Sequence, residues 1–127
     1  MGQEEAATVY IPSSGDAHSD HRIVAASAIG ATKIFRKPLV KRILGMEIPS
    51  ETNFGIDPLT APFRPNHYVD IGKFLERKIE ILGIYNDELA APPFPRNLET
   101  IRAYARLRGD EAGCMAAEAY SLVKEIR

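Results

Sequence analysis

The 127-residue sequence is poor in the features that would assign it to several common classes. It has one cysteine, Cys114, so no intramolecular disulfide can form and the fold must rest on a buried core. A lone thiol fits a reducing compartment, which makes the expected location cytoplasmic. Neither sign of charge dominates: 16 Lys and Arg against 17 Asp and Glu leave a net charge of −1, and no bulk field recruits nucleic acid or acidic partners. No apolar run approaches the length of a membrane span. The stretch from Met1 to Ala7 is polar and acidic, unlike the basic-then-apolar pattern of a signal peptide. Internal repeats and low-complexity segments are absent.

What is present suits an ordinary globular chain. The sequence is 45% hydrophobic and 26% charged, and its length falls in the range of one domain over residues 1–127. Thr8-Val9-Tyr10-Ile11-Pro12 is rich in β-formers and closes on proline, which predicts a strand. Ser13-Ser14-Gly15-Asp16 is a turn cluster. An alanine-rich segment predicts a helix from residue 19 or 20 to about 35, with Ser19 as its N-cap and Pro38 as its stop. Lys33, Arg36 and Lys37 would then sit at its C-terminal end, where the helix dipole favours cations. Leu39 to Ile48 reads as a second strand, and the order strand–helix–strand implies a parallel α/β unit.

Residues 49–66 hold four prolines and little periodicity, which predicts a long surface loop. His67 to Ile71 reads as a short strand. Ile71, Phe74, Leu75, Ile79, Leu82 and Tyr85 recur at helical spacing, so an amphipathic helix is expected over 72–85. Beyond the connector Pro92-Pro93-Phe94-Pro95, a helix is expected over 96–109, with Leu98, Ile101, Ala105 and Leu107 inward and Gly109 at its end. Ala117 to Ile126 fits either a helix or a strand. The expected fold is α/β: a partial Rossmann-like parallel sheet flanked by helices.

Chemistry concentrates in His18-Ser19-Asp20-His21, which holds two of the three histidines. The segment lies where a strand gives way to a helix, and ligands of parallel sheets bind at that end of their strands. Two imidazoles three residues apart on a first helical turn can share a face, one to bind a metal and the other to polarise a substrate oxygen. Asp20 between them can orient an imidazole by accepting its second N–H. The spacing by itself is weak and more often marks a solvated polar cap.

Further motifs narrow the reading. Tyr10-Ile11-Pro12 leading to Asp16-Ala17-His18-Ser19-Asp20-His21-Arg22 resembles the second metal-site motif of the PIG-L/LmbE family of zinc-dependent deacetylases. Phe63-Arg64-Pro65-Asn66 with Val69-Asp70-Ile71, and Lys78-Ile79-Glu80-Ile81-Leu82, resemble the family's late strand and helix. Arg108-Gly109-Asp110-Glu111-Ala112-Gly113 and Ala117-Glu118-Ala119-Tyr120 resemble its closing signature. The resemblance covers the chain from about residue 8 onward. It implies zinc, or another divalent metal, and removal of an N-acetyl group from an amino sugar or glycoconjugate. It makes His21 a metal ligand and His18 the residue that stabilises the oxyanion or protonates the leaving amine, with Asp20 orienting His18. Ser19 stands where the family usually has proline.

The family's first motif, His-Pro-Asp-Asp, has no counterpart: the sequence contains no Asp-Asp pair. That motif supplies two metal ligands and the general base. The chain therefore resembles the C-terminal half of a family member and is expected to be inactive alone. Asp16 is a weaker candidate for a carboxylate ligand. The expected partners are copies of itself or a separate N-terminal half, because half a sheet leaves an open strand edge beside Thr8 to Pro12. Two non-enzymatic readings stay open: a structural or regulatory partner of the same fold, and an anion- or nucleic-acid-binding module built on Lys33, Arg36, Lys37, Lys41 and Arg42, although such a charge run is more often a solvated face. Arg64 can reach an anionic part of a substrate or form an ion pair. His67 reads as a packed or surface histidine, Cys114 as a small buried residue, and Glu118 as a structural hydrogen-bonding group.

Overall fold

A parallel β–α–β unit opens the chain. The computed structural model describes residues 7–127, so the reading of the polar N-terminus lies, except for Ala7, outside the described residues. These residues fall into two compact units. One comprises residues up to His67 together with Tyr120–Arg127, and the other is Tyr68–Ala119.

In the first unit, strand β1 (Ala7–Pro12) is followed by helix α1 (Ser19–Ala31) and strand β2 (Val40–Met46). The two strands pair in parallel, from Thr8↔Arg42 to Pro12↔Met46, so α1 is the crossover predicted from the sequence. Ile11, Ala25, Val40 and Ile43 form the core of this unit, with Val9 and Ala28 packed against them. The alanines at 25 and 28 let the helix lie close to the branched side chains of the strands. Burying Ile11, Val40 and Ile43 contributes about 1.5–3 kcal/mol each.

The helix ends at Ala31, four residues before the predicted end. The Thr32 hydroxyl donates to the Ala28 carbonyl at 2.7 Å, and the chain then turns on hydrogen bonds from Arg36 and Lys37 to the Lys33 carbonyl. Lys33, Arg36 and Lys37 thus lie past the helix, whose last turn carries no base. The N-cap is His18, not Ser19, because the His18 ring accepts the Asp20 N–H.

Strand β3 (His67–Asp70) and strand β4 (Ala117–Glu125) complete a four-stranded sheet of order β1-β2-β4-β3. The sheet is mixed rather than parallel. β4 runs antiparallel to β2, pairing Arg42 with Glu125, Leu44 with Leu122 and Met46 with Tyr120. Two helices, rather than one, separate β3 from β4, so the single-helix crossover that makes β1 and β2 parallel is not repeated. At this level the fold is an α/β open sheet flanked by helices, with β1 as an outer strand.

The second unit pairs helix α2 (Leu75–Ile84) with helix α3 (Leu98–Ala112) over a core of Ile71, Leu75, Ile79, Ile101, Ala105 and Ala116. Asn97 caps α3 by accepting the Thr100 N–H at 2.8 Å. The helix runs through Gly109 and stops at Gly113, which takes the left-handed conformation at φ 74°. Leu107, expected inward, is exposed. Among the described residues no helix is long and apolar enough to cross a membrane.

Candidate functional site

The candidate site is the turn that carries the chain from β1 into α1. Several bonds hold its path. The Asp16 N–H reaches the Ser13 carbonyl, and the Arg22 guanidinium donates to the Asp16 and Ala17 carbonyls at 2.9 and 2.7 Å. The Ala17 N–H donates to the Glu51 carbonyl at 3.0 Å, which ties the turn to the loop of residues 49–66. That loop approaches so closely that a Cβ on Gly55 would run into the Gly15 carbonyl, so only glycine fits there.

Under this cover the Asp16 side chain is fully buried. Its Oδ2 lies 2.8 Å from His21 Nδ1, and its Oδ1 has no hydrogen-bond partner. A buried carboxylate oxygen without a donor is costly, and such groups concentrate at sites that bind or react. The His21 ring is partly exposed, with 24% of its side-chain surface accessible. His18 stacks on it with ring centroids 5.0 Å apart and planes 19° from parallel. The His18 Nδ1 accepts the Asp20 N–H at 3.2 Å. Asp20 therefore reaches His18 through its backbone. Its exposed side chain sits in the first turn of α1, where a negative charge suits the helix dipole.

The two imidazoles predicted to act together are thus adjacent, but the carboxylate bonded to the pair is Asp16 and its target is His21. A cleft of about 320 Å³ opens at this turn, lined by Asp16, Arg22, Phe54, Gly55, Asp57 and Thr60 among others. Neither imidazole lines it, and neither does Arg64, which is exposed within the 49–66 loop. The role of Asp16 had one legible signal: an acid beside a turn glycine, five residues before His21.

A catalytic zinc usually takes three protein ligands. Among the described residues no three His, Cys, Asp or Glu side chains converge to hold a metal ion. The chain by itself does not fit such a centre; what it offers is the second ring nitrogen of His21, whose first is backed by a carboxylate in the manner of metal-binding histidines.

The remaining candidates have structural partners. His67 packs edge-on to Tyr120 with ring centroids 6.2 Å apart. Glu118 pairs with Lys78 at 2.7 Å. Half-buried Cys114 bonds the Ala116 carbonyl. The basic stretch is not a single field: Arg42 is bound by Glu125 at 2.7 Å, while Lys33 and Arg36 lie over the Phe35 ring. The Arg42 guanidinium, followed by that of Arg127, holds the Glu125 carboxyl below its ordinary value. No protein-family model matches the chain, and no curated protein matches it.

Proposed function

We propose that the chain is the C-terminal half-site of a zinc-dependent deacetylase of the PIG-L/LmbE type, acting on an N-acetylated amino sugar or glycoconjugate. The observation that carries this reading is the Asp16–His21–His18 cluster at the carboxyl end of β1, within a segment that resembles the family's second metal motif. Amide hydrolysis needs an activated water, a base to take its proton, and charge stabilisation for the tetrahedral intermediate. This chain supplies His21 as one metal ligand and His18 as a donor toward the oxyanion or the leaving amine. Arg64 is the candidate contact for an anionic part of the substrate. The other ligands and the base come from a separate N-terminal segment docked beside β1. The single cysteine fits a cytoplasmic setting.

Two measurements test this. The purified chain, assayed on N-acetylglucosamine derivatives with zinc added, is expected to be inactive. Missing the base alone costs about 10²–10⁴ in rate. Turnover at ordinary enzyme rates that a chelator abolishes would refute the half-site. If the chain retains zinc at all, His21→Ala is expected to lose it and His67→Ala to keep it; equal zinc in both variants then removes His21 from the ligand set.

A second reading, a non-catalytic partner of the same fold, draws on the absence of a three-ligand group among the described residues. Adding a polypeptide that carries His-Pro-Asp-Asp separates the two, because only a half-site gains activity.

A further inference from the structure

The two stacked imidazoles make opposite uses of the same ring atom. His21 Nδ1 faces Asp16 Oδ2 at 2.8 Å, and a carboxylate oxygen accepts, so His21 Nδ1 must carry a proton. His18 Nδ1 faces the backbone N–H of Asp20 at 3.2 Å, and a backbone N–H only donates, so His18 Nδ1 must carry none. In neutral imidazole the single ring proton then sits on opposite nitrogens. His18 is the Nε2–H form and presents a donor. His21 is the Nδ1–H form and presents a bare Nε2 lone pair. Neither Nε2 is hydrogen-bonded to a described residue.

We propose that Asp16 is the positioning residue of this site, fixing His21 in the Nδ1–H tautomer so that the stacked rings present a donor nitrogen from His18 and an acceptor nitrogen from His21. The assignment differs from the sequence expectation twice. The orienting carboxylate is Asp16 rather than Asp20, and the imidazole it orients is His21 rather than His18. The tautomers follow from hydrogen-bond geometry alone; the role in hydrolysis rests on the deacetylase reading above.

The arrangement has a chemical use. A ligating histidine must offer a lone pair, and the carboxylate on its other nitrogen fixes ring direction and raises its basicity. An oxyanion or leaving amine needs a donor close by. Were both rings in the Nε2–H form that free histidine prefers, the site would present two donors and no ligand. Asp16 is what breaks that symmetry. Its burial under the 49–66 loop removes competing water, and Arg22 holds the backbone on which it sits. Its second oxygen, unpartnered and buried, leaves the carboxylate more dependent on the His21 N–H than a solvated acid would be.

The test is long-range ¹H–¹⁵N NMR on the full, metal-free chain at a pH where imidazoles are neutral. Expected are opposite nitrogen patterns, with Nε2–H for His18 and Nδ1–H for His21. Asp16→Ala should convert His21 to the Nε2–H pattern and leave His18 unchanged, while Asp16→Glu should restore part of the Nδ1–H population. Finding His21 in the Nε2–H form in the unaltered chain overturns the proposal, and that measurement needs no variant to fold. So does an Asp16→Ala variant that folds and keeps the Nδ1–H form. The proposal survives if the tautomers are opposite and respond to Asp16 while His21→Ala and His67→Ala retain equal zinc; in that case only the deacetylase reading falls.

Discussion

Substituting Gly109 by alanine sets two known effects against each other. In a helix interior alanine is favoured over glycine by about 1 kcal/mol, so on propensity alone Gly109→Ala should stabilise α3. Packing opposes this. A Cβ at residue 109 would stand 2.6 Å from the Cys114 carbonyl oxygen and 2.8 Å from both N and Cα of Ala116. Carbon atoms pack best at about 3.5–4.0 Å, so the contact with Ala116 is about 0.7 Å too short. All three neighbours are backbone, which cannot rotate aside. That backbone is also pinned: Cys114 N–H donates to the Gly109 carbonyl, Ile71 N–H to the Ala116 carbonyl, each at 2.9 Å. Overpacking of this kind costs about 1–3 kcal/mol and occasionally more. Three rigid contacts put Gly109→Ala at the upper end, for a net loss of about 2 kcal/mol. Gly83 in α2 is the internal control, because a Cβ there meets nothing within 4 Å and the same substitution should gain up to about 1 kcal/mol. Urea unfolding reads both. With a slope of about 1–3 kcal/mol per molar, the Gly109→Ala midpoint should fall by about 1 M and the Gly83→Ala midpoint should rise. A Gly109→Ala midpoint at or above that of the unaltered chain would refute the reasoning and show that the turn into β4 yields freely.

Acid should weaken the Arg42–Glu125 bond. Its folded-state carboxyl is held below the ordinary 4.5, so its contribution is present above that value and is lost as pH falls through the lower folded value. Glu125→Gln should therefore be less stable than the unaltered chain at neutral pH, with the difference closing in acid; a gap that stays constant across the titration contradicts this. Next to β2, β1 is an outer strand with no charged side chain and a half-exposed Tyr10, a pattern that favours pairing with another chain. Sedimentation at micromolar concentration should show the unaltered chain associated and Tyr10→Lys shifted toward monomer. A cooperative monomer without the substitution would show that the edge needs no partner.

The β1–α1–β2 unit was legible because its signals are local and agree: β-branched residues, a turn cluster, an alanine-rich run, then a second β-rich run. Where two local signals compete, the sequence alone does not decide between them. Gly109 and Gly113 are both plausible helix stops. The backbone takes the left-handed turn at Gly113, and Gly109 is glycine for a different reason, the approach of residues 114–116. The direction of β4 was not legible, since Arg42 and Glu125 pair across 83 positions and no spacing pattern spans such a distance. Thr32 ended α1 early by bonding back to Ala28, a side-chain effect that the alanine content concealed.

The site divides along the same line. His18 and His21 were found because residues three apart meet on a helical face. The same rule argues against Asp20 as their orienting acid, since residues one or two apart on a helix point in different directions. Asp20 stands two after His18 and one before His21, and its bond to His18 comes from its backbone N–H while its side chain is exposed. Asp16 escapes this constraint because it precedes the helix, where the turn can fold its side chain back against His21. What buries it is remote: the Glu51 carbonyl that takes the Ala17 N–H, and Gly55 pressed on Gly15. Those residues lie some 35–40 positions along the chain, in a loop whose prolines announced only that it was irregular. The motif places the two imidazoles, and the loop, by sealing Asp16 from water, makes them chemically different from each other.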